Sequence, residues 1–152
     1  MIKLILIILT ITFSDSTNNL EQKASDYFFD NVFKQDYKEY KIIEFKNLTD
    51  TSKYYGIIHK CENWDKETKY QIMSTKPSES VDITAKTKDV KIKNIKTNSG
   101  RLKIYVYSKI KVGDNYFVSI ATFRKLHFAN YYFIKFDKNG NVIDTCSTGE
   151  II

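Results

Sequence analysis

The sequence has little of what the commonest catalytic motifs are built from. Its 152 residues include five glycines, two histidines and two cysteines. It contains no glycine-rich phosphate loop, no Gly-x-Ser-x-Gly nucleophile elbow and no His-Glu-x-x-His zinc motif, each of which needs glycine or histidine for a geometric or chemical reason. These gaps exclude the commonest nucleotide-binding, serine-hydrolase and zinc-protease signatures, and they favour a protein that is not an enzyme.

Long apolar runs are also scarce, and the one that occurs stands at the start. A short segment containing Lys3 precedes apolar residues 4–9, and small residues follow up to Ser14. This layout is typical of a secretory signal peptide, and the run is shorter than the roughly 20 apolar residues that span a bilayer. We therefore predict a signal peptide over residues 1–14, cleaved after Ser14 or Ser16, with an uncleaved anchor as the alternative.

The predicted signal sets both a localisation and a domain boundary. Cleavage would leave residues 17–152 as an exported protein, periplasmic or extracellular, without a stable transmembrane segment. A chain of this size forms one domain and can bury a core without cross-links. The sequence shows no internal repeat and no low-complexity linker, so we expect a single domain.

The spacing of apolar residues predicts one helix followed by strands. Residues 19–35 carry Leu20, Ala24, Tyr27, Phe28 and Val32 at helical spacing, whereas the later segments are short, β-branched and aromatic runs. The predicted strands cover residues 40–45, 54–59, 70–75, 81–85, 90–95, 101–112, 116–123, 131–136 and 142–146. Asn139-Gly140 marks a tight hairpin before the last of them.

This order of elements predicts an α+β fold. We expect one N-terminal helix packed on a curved antiparallel sheet of about six to eight strands, because a helix rich in aromatic residues must bury its apolar face. Cystatin-like folds are arranged in this general way. The comparison rests on element order alone, and it carries no activity with it.

Positive charge is concentrated in the middle of the chain. The net charge is +6, and residues 76–111 hold ten basic and three acidic residues, a local balance of +7. Within this segment Lys103, Tyr105, Tyr107 and Lys109 alternate with apolar residues and are expected to share one face of a strand. That face is either a solvated surface or a binding surface for an anionic glycan or a protein; export makes nucleic acid an unlikely partner.

The cysteines and histidines allow two arrangements. In an oxidising compartment Cys61 and Cys146 are expected to form one disulfide, with two unpaired thiols as the alternative. The second arrangement is a zinc site in which His59, Cys61, His127 and Cys146 would be the ligands. Structural zinc sites use two closely spaced ligand pairs, and the long spacing between His127 and Cys146 argues against it. No metal and no cofactor are therefore expected.

The acidic loop around the single tryptophan offers an alternative, catalytic function. Glu62, Asp65 and Glu67 flank Trp64, as in a sugar-binding loop or a glycosidase. A small secreted hydrolase could use these carboxylates or the cysteine and histidine set. The simpler interpretation is an exposed acidic loop whose tryptophan packs on the sheet.

Three segments of the chain resemble small exported proteins of flavobacterial type. They are the signal ending Thr-Phe-Ser14, the stretch Asn115-Tyr-Phe-Val-Ser119, and Tyr-Tyr-Phe-Ile-Lys-Phe-Asp-Lys-Asn-Gly-Asn-Val-Ile-Asp-Thr-Cys146. The resemblance implies a periplasmic or extracellular location. It assigns no catalytic residue.

Overall fold

The computed structural model describes residues 19–49, 55–88, 90–93, 101–125 and 128–151. The predicted signal peptide and both cleavage sites lie outside these ranges. The helices are α1 (Leu20–Phe28), a π-helical turn (Phe29–Phe33), α2 (Lys34–Asp36), a 3-10 helix (Tyr55–Lys60) and α3 (Lys66–Ser74). The strands are β1 (Ile42–Leu48), β2 (Lys91–Ile92), β3 (Leu102–Tyr107), β4 (Ile110–Val112), β5 (Asn115–Lys125), β6 (Phe128–Phe136) and β7 (Val142–Ile151). No helix in the described ranges is long and apolar enough to cross a membrane.

The predicted α+β fold is confirmed: the N-terminal helix packs on an open sheet of the seven described strands. The strands follow the order β2-β1-β3-β5-β6-β7, and β4 pairs with β5. The sheet differs from the prediction in one respect, because it is mixed rather than antiparallel. β1 runs parallel to both β2 and β3, since the long connection between β1 and β3 allows the crossover that parallel strands need.

The N-terminal helix keeps its aromatic side chains on the sheet by means of the π-helical turn. Leu20, Ala24 and Phe28 follow one i, i+4 row, and Phe29, Phe33 and Tyr37 follow a second row shifted by one position. All six are buried in one core. A π-turn adds one residue to the helix, so the two rows meet on the same face. Val32, predicted to lie in the core, is therefore only half-buried.

A second layer, residues 55–74, covers the other face of the sheet, which we call the back face. Its buried residues Ile57, Ile58, Trp64 and Ile72 pack in one core with strand residues such as Phe117. The prediction of strands at 54–59 and 70–75 is wrong, because the described part of this segment forms the 3-10 helix and α3. Short apolar runs fit a strand and a buried helical turn equally well.

Burial on both faces changes the interpretation of the predicted strand at residues 101–112. It is interrupted at Ser108 and Lys109 and forms β3 and β4. Leu102, Ile104 and Val106 face the N-terminal helix, as predicted. Tyr107 faces the second layer with 0% of its surface exposed, so the prediction that it points to solvent is wrong.

The hairpin predicted at Asn139-Gly140 is confirmed, and an aspartate organises it. The Asp137 carboxylate accepts hydrogen bonds from the backbone N–H groups of Asn139 and Asn141. Gly140 has a φ of 76°, whereas no described non-glycine residue has a positive φ. The turn is therefore not type I′, which needs two positive φ values. These hydrogen bonds hold the pKa of Asp137 below its ordinary value, and the bond from the backbone N–H of Asn141 has the largest effect.

A polar network ties the end of the N-terminal helix to the sheet. The Tyr37 hydroxyl lies 2.8 Å from both Thr122 Oγ1 and Tyr132 Oη, and it accepts a hydrogen bond of 3.0 Å from Asn130 Nδ2. Burial raises the pKa of Tyr132, and the hydrogen bond to Tyr37 raises it further. Gly149 makes room for this network, because an added Cβ would lie 3.0 Å from Asn130 Oδ1.

Removing the Tyr37 hydroxyl is therefore expected to destabilise the fold. Tyr37→Phe leaves three buried or half-buried polar groups without their common partner, and we expect the free energy of unfolding to fall by about 1–3 kcal/mol. Urea unfolding followed by circular dichroism measures this change. Tyr70→Phe is the matched control, since Tyr70 is 64% exposed; equal effects of the two substitutions would contradict the role given to the network.

Candidate functional site: a lysine-lined cleft

A cleft of about 630 Å³ opens between the N-terminal helix and the chain that leads into β2. Its basic residues come from both walls, and its apolar residues form the floor. We call this site the lysine-lined cleft; it is lined by Asp30, Phe33, Lys34, Lys38, Lys41, Ala85, Lys86, Thr87, Lys88 and Val90. Among the described residues of the lining, five lysines and one carboxylate give a formal charge of +4 (5 − 1).

The single carboxylate holds two of the lysines in place. Asp30 Oδ1 lies 2.8 Å from Lys34 Nζ, and Asp30 Oδ2 lies 3.1 Å from Lys86 Nζ. Hydrogen bonds from Lys34 and then Lys86 lower the pKa of Asp30, and its carboxylate raises the pKa of Lys86. Such exposed pairs add little stability. Their consequence is geometric, because they fix one lysine of each wall across the cleft.

Three further lysines leave the positive charge of the cleft uncompensated. Lys38, Lys41 and Lys88 are exposed, and they form no ion pair with any residue in the described ranges. Each can present its ammonium group to a ligand without first breaking an internal salt bridge. The cleft therefore has a positive potential available for an anion.

Hydrogen bonds hold the two walls together at both ends of the cleft. Gln22 Nε2 donates to the Thr84 carbonyl at 2.9 Å, and Thr84 N–H donates to Gln22 Oε1 at 2.8 Å. At the other end, the N–H of Lys91 donates to the carbonyl of Lys41 at 2.9 Å. The spacing between the walls is thus fixed without a ligand, which lowers the entropic cost of binding.

The floor of the cleft is apolar. Phe33 belongs to the core under the N-terminal helix, and Ala85 and Val90 pack against that core while remaining half-buried. A ligand that fits this site combines negative groups with C–H surfaces that can lie on the floor. Sugars that carry carboxylate or sulfate groups have this combination.

The sequence contained a signal for this site that the strand-based prediction did not use. Lys34, Lys38 and Lys41 recur at positions i, i+4 and i+7. Helix α2 ends at Asp36, so Lys38 and Lys41 lie in the connection that leads to β1. Lys86 and Lys88 belong to the basic segment 76–111. Their meeting across the cleft depends on tertiary structure, since about fifty residues separate the two walls in sequence.

The four residues predicted to form a binding face do not share one surface. Lys103 and Tyr105 are half-buried on the back face, and the Tyr105 hydroxyl donates to Glu44 Oε1 at 3.0 Å. Tyr107 is buried, and Lys109 lies in the break between β3 and β4, where its N–H donates to the buried Glu21 carboxylate at 2.9 Å. Lys103, Tyr105 and Tyr107 share the back face of β3, where Tyr107 is buried beneath the second layer, and Lys109 lies apart from them.

The predicted disulfide between Cys61 and Cys146 is confirmed. Their Cα atoms lie 5.8 Å apart, and the bond joins the second layer to β7 across 85 positions of sequence. Sulfur atoms bonded to each other are not thiolate ligands, and His127 lies outside the described residues. His59 is exposed on the 3-10 helix whereas Cys61 is buried, so the two do not share a strand face as predicted.

Among the acidic residues around Trp64, Asp65 has a structural role. Asp65 caps α3, accepting hydrogen bonds from Thr68 N–H at 2.8 Å and Thr68 Oγ1 at 2.7 Å. These two hydrogen bonds lower the pKa of Asp65, and the bond from the backbone N–H of Thr68 has the larger effect. Trp64 is 5% exposed and donates its indole N–H to Asp144 Oδ2 at 2.6 Å. The indole face is therefore packed on the sheet and does not offer a stacking surface for sugars.

The described residues contain no group of three or more histidine, cysteine, aspartate or glutamate side chains placed to hold a metal ion. Within those ranges, the lysine-lined cleft combines a positively charged lining with an apolar floor. No protein-family model, no curated protein and no solved structure matches this chain.

Proposed function

We propose that this protein is an exported, non-catalytic domain that binds an anionic glycan in the lysine-lined cleft. The observation that carries the proposal is the combination of five lysines, one carboxylate and an apolar floor in a cleft of about 630 Å³. Negative groups of the glycan pair with Lys38, Lys41 and Lys88. The sugar C–H faces lie on Ala85 and Val90.

Export supports the choice of a glycan over a nucleic acid. The start of the chain has the layout of a signal peptide, and the Cys61–Cys146 disulfide is typical of proteins that fold in an oxidising compartment. Acidic polysaccharides are the polyanions of that environment. The fixed spacing of the cleft walls favours a repeating ligand whose charges recur at regular intervals.

Reversing the charge of Lys38, Lys41 and Lys88 is expected to abolish binding. The variant combines Lys38→Glu, Lys41→Glu and Lys88→Glu, and its binding to a heparin oligosaccharide and to a polygalacturonate oligosaccharide is measured by calorimetry. A polyanion releases counterions at each contact, so we expect the affinity to fall roughly 100-fold and the salt dependence to weaken by about one charge per lysine.

A matched variant separates the cleft from the overall charge. Lys66→Glu, Lys76→Glu and Lys138→Glu change the net charge by the same amount at exposed positions outside the cleft. This variant is expected to keep most of the affinity, and neutral dextran is expected not to bind the wild-type protein. Equal losses in the two variants, or no binding of either acidic oligosaccharide, would refute the proposal.

A further inference from the structure

The edge of the sheet opposite the lysine-lined cleft is formed by β7. This strand pairs with β6 along its length, and none of the strands in the described ranges lies on its other side. Among its described side chains Asp144 carries a charge, and Val142 and Ile143 are exposed apolar residues. Long edge strands with few charges and no proline are the ones that accept an additional strand.

The backbone of β7 presents hydrogen-bonding groups away from the sheet. The N–H of Thr145 donates to the carboxylate of Asp144 at 2.8 Å, so this N–H does not point toward β6. In an antiparallel pair the inward and outward positions alternate. The N–H and C=O groups of Ser147 and Gly149 therefore point outward as well, at positions where a new strand would pair.

A groove of about 280 Å³ runs beside β7 on the side of the N-terminal helix. One wall is helical, with Tyr27, Asn31 and Val32, and the other is β7, with Thr145 and Ser147. Tyr132 and Ile134 of β6 form the floor. A strand added to β7 would place every second side chain on the face of the sheet that carries this groove, next to Thr145 and Ser147.

We propose that β7 binds an extended peptide by strand addition, with a large apolar side chain of the peptide in the groove and basic side chains beside it. The lining of the groove includes the carboxylate of Asp36 and no basic side chain. In a protein of net charge +6, this edge is therefore suited to a cationic partner. Main-chain hydrogen bonds supply affinity, and the groove supplies specificity.

A second copy of the chain fits this site less well. In an antiparallel pair of two β7 strands centred on Ser147, the other copy would bring its own small Ser147 side chain to the groove, leaving most of the groove volume unfilled. It would also add a second set of carboxylates without a basic partner. The observations therefore favour a peptide of different sequence.

The test begins with a random peptide library displayed on phage and selected on the full disulfide-bonded protein. Enriched peptides are expected to carry one large apolar residue flanked by lysine or arginine. Binding of the enriched peptide is then measured with Ser147→Ala and Ser147→Pro. Alanine keeps the outward N–H and is expected to leave the affinity within about twofold, whereas proline removes that donor and is expected to weaken binding roughly tenfold or more.

A second measurement keeps the test valid if Ser147→Pro does not fold. Two versions of the peptide are compared, each N-methylated at one of the two alternate sets of backbone amides, which blocks one hydrogen-bonding edge. One methylation phase, the set that faces β7, is expected to abolish binding, and the other phase is expected to preserve it. Failure to enrich any peptide, equal effects of the two phases, or unchanged affinity of folded Ser147→Pro would overturn the proposal. A dimer of the wild-type protein that Ser147→Pro dissociates would instead assign the edge to a second copy, and would also overturn it.

Discussion

Loss of the Cys61–Cys146 disulfide is expected to lower the free energy of unfolding by about 4 kcal/mol. The bond closes a loop of 85 positions, and long loops restrict the unfolded chain most in the chain-entropy model. It also joins the second layer to the edge strand β7. Without it, the layer over the back face is held by side-chain packing and by the hydrogen bonds of Asn63 and Trp64 to Asp144.

Urea unfolding of the variant Cys61→Ala/Cys146→Ala, compared with oxidised wild type, measures this effect. Alanine is chosen because Cys61 is 1% exposed, and a serine hydroxyl buried there would add its own cost. Reduced wild-type protein serves as the control, and it should lose a similar free energy. A loss below about 1 kcal/mol in both samples would show that the bond does not constrain the unfolded chain as the model requires.

Trp64→Ala is expected to destabilise the protein by about 3–5 kcal/mol. The indole ring is buried against Phe117 and Phe133, with ring centroids 5.3 and 6.3 Å away. Its N–H also donates to Asp144, which would be left without this donor. Trp64→Phe retains most of the ring contacts and loses the hydrogen bond, so a smaller loss of about 1–3 kcal/mol is expected.

Chemical unfolding followed by circular dichroism suits these variants, because Trp64 is the only tryptophan. Tyr70→Ala is the control, since Tyr70 is an aromatic residue of the same layer that is largely exposed. Comparable effects of Trp64→Ala and Tyr70→Ala would contradict the packing described for the back face. The Trp64 and disulfide effects are expected to be non-additive, because both link the second layer to β7.

Elements with strong local patterns were predictable from the sequence. The N-terminal helix was predictable because its aromatic residues recur at helical spacing. The hairpin at Gly140 was predictable because its turn depends on a few neighbouring residues. The second layer was not, since residues 54–59 and 70–75 are apolar runs too short for their period to be decisive. The same error explains why Tyr107 was predicted to be exposed. Because the second layer covers the back face at this position, the Tyr107 side chain is not in contact with solvent.

The candidate site was predictable only in part. The excess of lysine in residues 76–111 was visible in the sequence and suggested an anionic partner. The structure joins Lys86 and Lys88 of that segment with Lys34 of α2 and with Lys38 and Lys41 of the connection to β1. Lys103, by contrast, lies on the back face. Which lysines converge is set by the parallel pairing of β2 with β1, a long-range contact without a local signature.

The most direct test of the glycan-binding proposal is a titration of the ¹⁵N-labelled protein with a heparin oligosaccharide, followed by NMR. The account predicts that the largest amide shifts cluster on both walls of the cleft, at Lys34, Lys38, Lys86 and Lys88, and that β7 and α3 are unaffected. Shifts centred on Lys103 and Tyr105, or no shifts at saturating oligosaccharide, would contradict it.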